Sequence, residues 1–178
     1  MKIPTPRYTP ILVPHLHEVR QNYATNSSLP KSLDPPSRGL VILHTPGHTP
    51  DELALWDRDE RVLFVGDTLY EYAHIIFPSE GSIVEWMSSI DLLLKTVGSE
   101  EARICCGHVT AGRSAQEVLK TAKAFMVDVI SGKEVVRKRF LKREEMCVEY
   151  IQEGKRYSLL CPERLVQEAR DKDQLRVE

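Results

Sequence analysis

Three short apolar runs in this chain each end in a glycine-bearing turn that carries an imidazole or a carboxylate. They are 40–43 before His44-Thr45-Pro46-Gly47-His48-Thr49, 62–65 before Gly66-Asp67-Thr68, and 103–106 before Gly107-His108. A short apolar run bounded by turn residues reads as a buried strand. Glycine lets the backbone bend sharply where the strand stops, and a strand end is rigid enough to aim a side chain. Three such ends can converge on one point despite their separation in sequence. Imidazole and carboxylate are the ligands a hydrolytic zinc takes, with one position left for water. The pattern therefore predicts that His48, Asp67 and His108 meet as metal ligands.

The rest of the composition sets the scale. At 178 residues, the chain fits one domain with a core of its own. Its 42% hydrophobic and 28% charged residues are those of a globular protein. A net charge of −2 gives a polyanion nothing to bind, so no nucleic-acid partner is expected. No apolar run is as long as a membrane span, and the first residues lack the pattern of a signal peptide, so no membrane partner is expected either. Cys105, Cys106, Cys147 and Cys161 have no C-x-x-C spacing, and Cys105 and Cys106 read as buried small residues of an apolar strand, so a reducing, cytoplasmic setting is expected.

Seven of the eleven prolines fall within 1–38. That segment is expected to be irregular, with at most a short strand at 11–13. Beyond it, 40–43 is a strand, 53–56 and 62–65 form a hairpin about the polar turn 57–60, and 70–81 is a loop with an apolar middle. Ser82-Ile83-Val84-Glu85 and Ser114-Ala115-Gln116-Glu117 read as capping boxes. Behind the first, Ile83, Trp86, Met87, Ile90, Leu93, Leu94 and Val97 recur at helical spacing up to Gly98. Behind the second, Val118, Leu119, Ala122, Phe125, Met126, Val129 and Ile130 do the same up to Gly132. The basic stretch 133–143 reads as a solvated helix with an apolar underside, 147–151 and 157–161 as a hairpin, and 163–170 as a closing helix behind Pro162. The division expected is thus 1–38, 39–132 and 133–178.

The order H-T-P-G-H-T at 44–49, V-G-D-T at 65–68 and C-G-H at 106–108 resembles the C-terminal half of the metallo-β-lactamase superfamily. Members of that superfamily are α/β/β/α sandwiches and mostly zinc hydrolases. The resemblance implies that His48 is the third histidine of a first metal site, that Asp67 bridges two metals, and that His108 serves the second. The loop 70–81 and its capped helix are also similar to acyl-CoA thioesterase-like members. The superfamily's H-x-H-x-D-H motif is absent. His15-Leu16-His17 has the first spacing, but Glu18-Val19-Arg20 follows, so both histidines are expected to stay away from the cluster. Two protein ligands per metal fall short of the usual three. One or two zinc ions would therefore be held weakly.

The strands counted make roughly one sheet with two covering helices, so the fold expected is an incomplete α+β sandwich. Its second sheet would have to come from 1–38, which is too proline-rich to provide it. Either Met1 is a late start in a truncated product, the reading the sequence favours, or a partner chain covers the exposed sheet face. His44 reads as a core residue or a support for a ligand. Thr49 and Thr68 read either as hydrogen-bond partners of the ligands or as turn residues. His74, in the loop after Asp67, is the candidate catalytic side chain. Two functions follow: a zinc-dependent hydrolase of a small ester, thioester or lactam substrate, or a non-catalytic interaction half with incomplete metal sites.

Overall fold

The computed structural model describes residues 14–20, 37–98 and 101–174. The strand expected at 11–13 lies outside the described residues. In chain order the elements are β1 (His17–Arg20), β2 (Ser37–His44), β3 (Leu53–Asp57), β4 (Val62–Phe64), β5 (His74–Ile76), α1 (Ile83–Val97), β6 (Arg103–Cys105), β7 (Ala111–Ser114), α2 (Ala115–Ile130), β8 (Lys138–Lys142), β9 (Glu145–Ile151), β10 (Ser158–Pro162) and α3 (Glu163–Gln174). They form a mixed α+β structure with two sheets. One is ordered β1-β2-β3-β4-β6-β7 and the other β5-β10-β9-β8.

In the first sheet, period-two alternation sends Val41, Leu43, Ala54, Trp56, Leu63 and Ile104 into the core. Strands β2, β3 and β4 are antiparallel neighbours, whereas β4 pairs with β6 in parallel, Leu63 opposite Ile104. A parallel pair needs a crossover, and α1 lies within it. Ser82 caps α1 by accepting from the Glu85 amide, and Gly98 closes it at φ +56°. The expected box is only half made, since the Ser82 amide donates to the Gly47 carbonyl at 2.8 Å and ties the 44–49 turn to the helix. Trp86 is fully buried, and its indole donates to the Thr68 carbonyl at 2.7 Å. Helix α2 packs on β6 and β7, and α3 on β9 and β10. All three helices and both sheets share one apolar cluster.

The second sheet corrects the sequence reading twice. Its described strands are β5 and three from the C-terminal segment, none from 1–38, and the stretch 133–143 supplies the strand β8 where a basic helix was expected. An edge strand needs backbone pairing on one side only, and charges along it guard against further pairing. Lys138, Arg139 and Lys142 suit that position, so the helical spacing of the apolar residues around them misleads. The apolar middle of the 70–81 loop is β5, which pairs in parallel with β10. Ile75 points into the core at zero exposure, while its neighbour Ile76 is 43% exposed.

That alternation is directly testable by denaturant unfolding. Ile75→Ala should cost about 2–5 kcal/mol, as for a buried aliphatic side chain. Ile76→Ala should cost less than about 0.5 kcal/mol, as at an ordinary surface position. Equal effects would return this segment to an unpaired loop.

Candidate functional site

Parallel pairing of β4 and β6 puts their C-terminal ends side by side. The Gly107 amide donates to the Gly66 carbonyl at 2.6 Å, so the two turns touch. Both glycines are needed. A Cβ on Gly107 would lie 2.3 Å from Asp67 Oδ1, and one on Gly66, where φ is +52°, would lie 2.4 Å from Glu52 Oε1. The contact brings His108 Nε2 to 3.7 Å from Asp67 Oδ1, with side chains 71% and 44% exposed. The Tyr70 ring lies against His108, centroids 5.4 Å apart, and its phenol lies near the Asp67 carboxylate. Burial, then the neighbouring Asp67 carboxylate, pushes the Tyr70 phenol well above its ordinary value, so it stays protonated.

His48 arrives from the other side of the sheet end. Its turn is fixed by backbone bonds from Gly47 to the Thr49 carbonyl and from Thr45 to the Glu52 carbonyl. His48 Nδ1 lies 2.6 Å from the Ile76 carbonyl. A carbonyl only accepts, so the proton sits on Nδ1 and the Nε2 lone pair is left free, the arrangement in which a histidine ligates a metal. Glu52 links the turns: its Oε1 accepts from the Asp67 amide at 3.3 Å. Burial raises the Glu52 carboxyl above its ordinary 4.5, against the lowering effects of that amide and of His48. Sequence reasoning missed Glu52, although an acid directly after the 44–49 motif was the available signal. It also missed Tyr70 as the partner of Asp67.

The other residues singled out from sequence have different surroundings. His44 is exposed at the end of β2, where its Nε2 donates to the Pro50 carbonyl at 2.8 Å, so it is neither a core residue nor a support for His48. The His44 amide donates to His15 Nδ1 at 3.0 Å, and His17 opens β1. Thr68 is buried, and its hydroxyl makes no hydrogen bond with any described protein group, so it is no partner of a ligand. Thr49 acts through its carbonyl, in the turn. His74, on β5, faces Glu149 on β9 at 3.5 Å. Burial pushes the Cys106 thiol up to about 12, which makes it inert.

Behind the pair lies a buried charge cluster. Glu71, 2% exposed, binds Arg156 Nε at 3.0 Å, and Arg113 Nε is 3.8 Å away. The Glu71 amide donates to Thr110 Oγ1 at 2.8 Å, which joins the turn after Asp67 to the turn after His108.

The comparisons place these motifs. A family model described as the metallo-beta-lactamase superfamily matches residues 15–108, more than half of the chain. The chain belongs to that superfamily, whose members generally bind metal ions. A protein of Aspergillus versicolor provisionally named transcription factor avaE is 29% identical over 74% of this chain and 41% of its own length. The Homo sapiens acyl-coenzyme A thioesterase MBLAC2 is 34% identical over 28% of this chain and 15% of its own length. A solved metallo-beta-lactamase family protein from Thermus thermophilus overlaps 60% of this chain and 36% of its own, with 19% identity and a TM-score of 0.46. The chain thus spans less than half the length of these relatives.

Against the family's metal, the donor types are right and the number is short. Among the described residues no three or more His, Cys, Asp or Glu side chains are gathered closely enough to hold an ion. As placed, Asp67 and His108 form a pair that His48 does not join closely, so these side chains alone do not fit a catalytic metal, which takes three protein ligands.

The Thr110 bond gives a stability test. Thr110→Val leaves the buried Glu71 amide unpaired and should cost about 1–3 kcal/mol in chemical unfolding. Thr110→Ser keeps the hydroxyl and should recover most of that. A loss in Thr110→Ser with none in Thr110→Val would show that the methyl packing, not the bond, is what counts.

Proposed function

We propose that this chain carries the second half of a metal-dependent hydrolase site, acting on a small ester, thioester or lactam. The observation that supports this most directly is the Asp67–His108 pair at 3.7 Å, on two touching glycine turns of a superfamily member. His48 supplies a third donor whose free Nε2 is fixed by the Ile76 carbonyl. Zinc is the ion we propose, on the imidazole and carboxylate chemistry of these side chains. The name of the thioesterase relative supports a thioester among the candidate bonds. Within the pair, Glu52 accepts from the Asp67 amide, so the turn that carries the carboxylate is held before any ligand arrives. No chemical step is assigned to a metal that these residues alone do not hold.

A second reading has its own observation. The outer face of the first sheet carries a cross-strand row, Ile42 beside Leu55 beside Phe64 beside Cys105. Phe64 is 43% exposed there, and the other three are partly exposed. Apolar side chains on both faces of a sheet favour cover on both. We infer that the polypeptide which completes the metal shell also covers this face, in which case the chain by itself is an interaction half. The four free cysteines support a reducing, cytoplasmic location.

The experiment is zinc stoichiometry by elemental analysis, alongside turnover of an acyl-thioester. The chain alone should hold zinc weakly and below one equivalent, with slow turnover. Asp67→Ala should lower both by more than about tenfold, since even partners of ligands cost that much. Supplying a polypeptide that bears H-x-H-x-D-H should raise both together. Turnover that is indifferent to zinc and to Asp67 would remove the hydrolase reading, and tight one-to-one zinc with fast turnover by the chain alone would remove the donor shortage.

A further inference from the structure

Two exposed apolar side chains on the turns that follow Asp67 and His108 sit on backbone that their residue types resist. Val109 has φ +59° and Tyr72 has φ +60°. For a β-branched residue such a φ is an outlier. The Thr110 amide donates to the His108 carbonyl at 2.6 Å, two residues back, which makes Val109 the centre of a tight turn of a rare and strained kind. Tyr72 is held by its amide, which donates to the Arg156 carbonyl at 2.7 Å. The Glu71–Thr110 bond joins the two turns, so Tyr72 and Val109 each lie one residue from the same hydrogen bond. His108 precedes Val109 directly, and Tyr70, whose ring meets His108, is two residues before Tyr72.

Despite this, the Val109 side chain is 69% exposed and Tyr72 is 66% exposed. Folding gains little from either, and glycine at 109 would make the same turn without strain. Strain held in place by its surroundings marks a position kept for something other than stability.

We propose that Val109 and Tyr72 form the rim that receives the apolar acyl portion of the substrate beside Asp67 and His108. The inference rests on the hydrolase reading above and names its substrate class: an ester or thioester whose acyl group is a hydrocarbon chain or ring. Val109 offers two methyl groups and Tyr72 a ring face. Both stand on turns already fixed by hydrogen bonds, so contact costs little ordering.

The test is calorimetric titration with S-alkyl thioethers of N-acetylcysteamine carrying two, four, six and eight carbons, which resemble thioesters but cannot be hydrolysed. Affinity should rise about two- to fourfold per added methylene, up to full burial of each. Val109→Gly and Tyr72→Ala should flatten that dependence and leave the two-carbon ligand unchanged. Val109→Gly should also unfold at a higher temperature, which shows that its turn survives. An unchanged chain-length dependence in both variants overturns the proposal and leaves the hydrolase reading standing. Binding of none of the thioethers, together with zinc-dependent thioester turnover, likewise overturns the proposal alone. No binding and no turnover overturns both.

Discussion

The candidate site depends on one backbone contact, the Gly107 amide donating to the Gly66 carbonyl at 2.6 Å. It exists because β4 and β6 run parallel and end together, and parallel strands point their outgoing loops the same way. The helix α1, crossing between them, is held by the buried Trp86, whose indole bonds the Thr68 carbonyl just past Asp67. Core packing, crossover and site geometry are therefore one arrangement. A side chain at position 107 would displace the Asp67 carboxylate itself, so glycine there keeps the pair together.

A second layer of polar contacts keeps the two turns from drifting. Glu71 is almost fully buried, and a buried carboxylate is tolerable only when it is paired and hydrogen-bonded. Arg156, from the turn between β9 and β10, supplies the pairing, and it also binds Glu117 on α2 at 2.7 Å. Thr110 supplies the backbone bond. This cluster joins the second sheet, α2 and both site turns. Through β5, whose Ile75 is fully buried, the second sheet shares one apolar core with the motif-bearing strands.

Much of the first sheet was legible because its signals are local. Apolar runs stop at glycine turns, and Ser82 and Ser114 each accept from the amide three residues on, as their spacing implies. The superfamily likewise follows from three motifs in order. The second sheet was not legible, because its information is distant. The strand β5 is three residues long and finds its partner, Ser158 to Leu160, some eighty residues later. The reciprocal halves of both capping boxes fail for the same reason, since the Ser82 amide goes to Gly47 and the Glu117 carboxylate goes to Arg156. At the site, the residue types were readable while their grouping was not. Asp67 and His108 meet because their strands are neighbours, whereas His48 is turned by a carbonyl on β5 that the sequence showed only as loop.

Asp67 and His108 act as a pair, with His48 oriented but not gathered to them. Nitrogen-15 NMR of the imidazoles during zinc titration of the chain tests it most directly, since protonation site and metal binding both move those resonances. His48 should remain the Nδ1–H form, with His108 responding to zinc first and His48 unchanged at the same concentration. His48 and His108 shifting together, to completion at one equivalent, would contradict it.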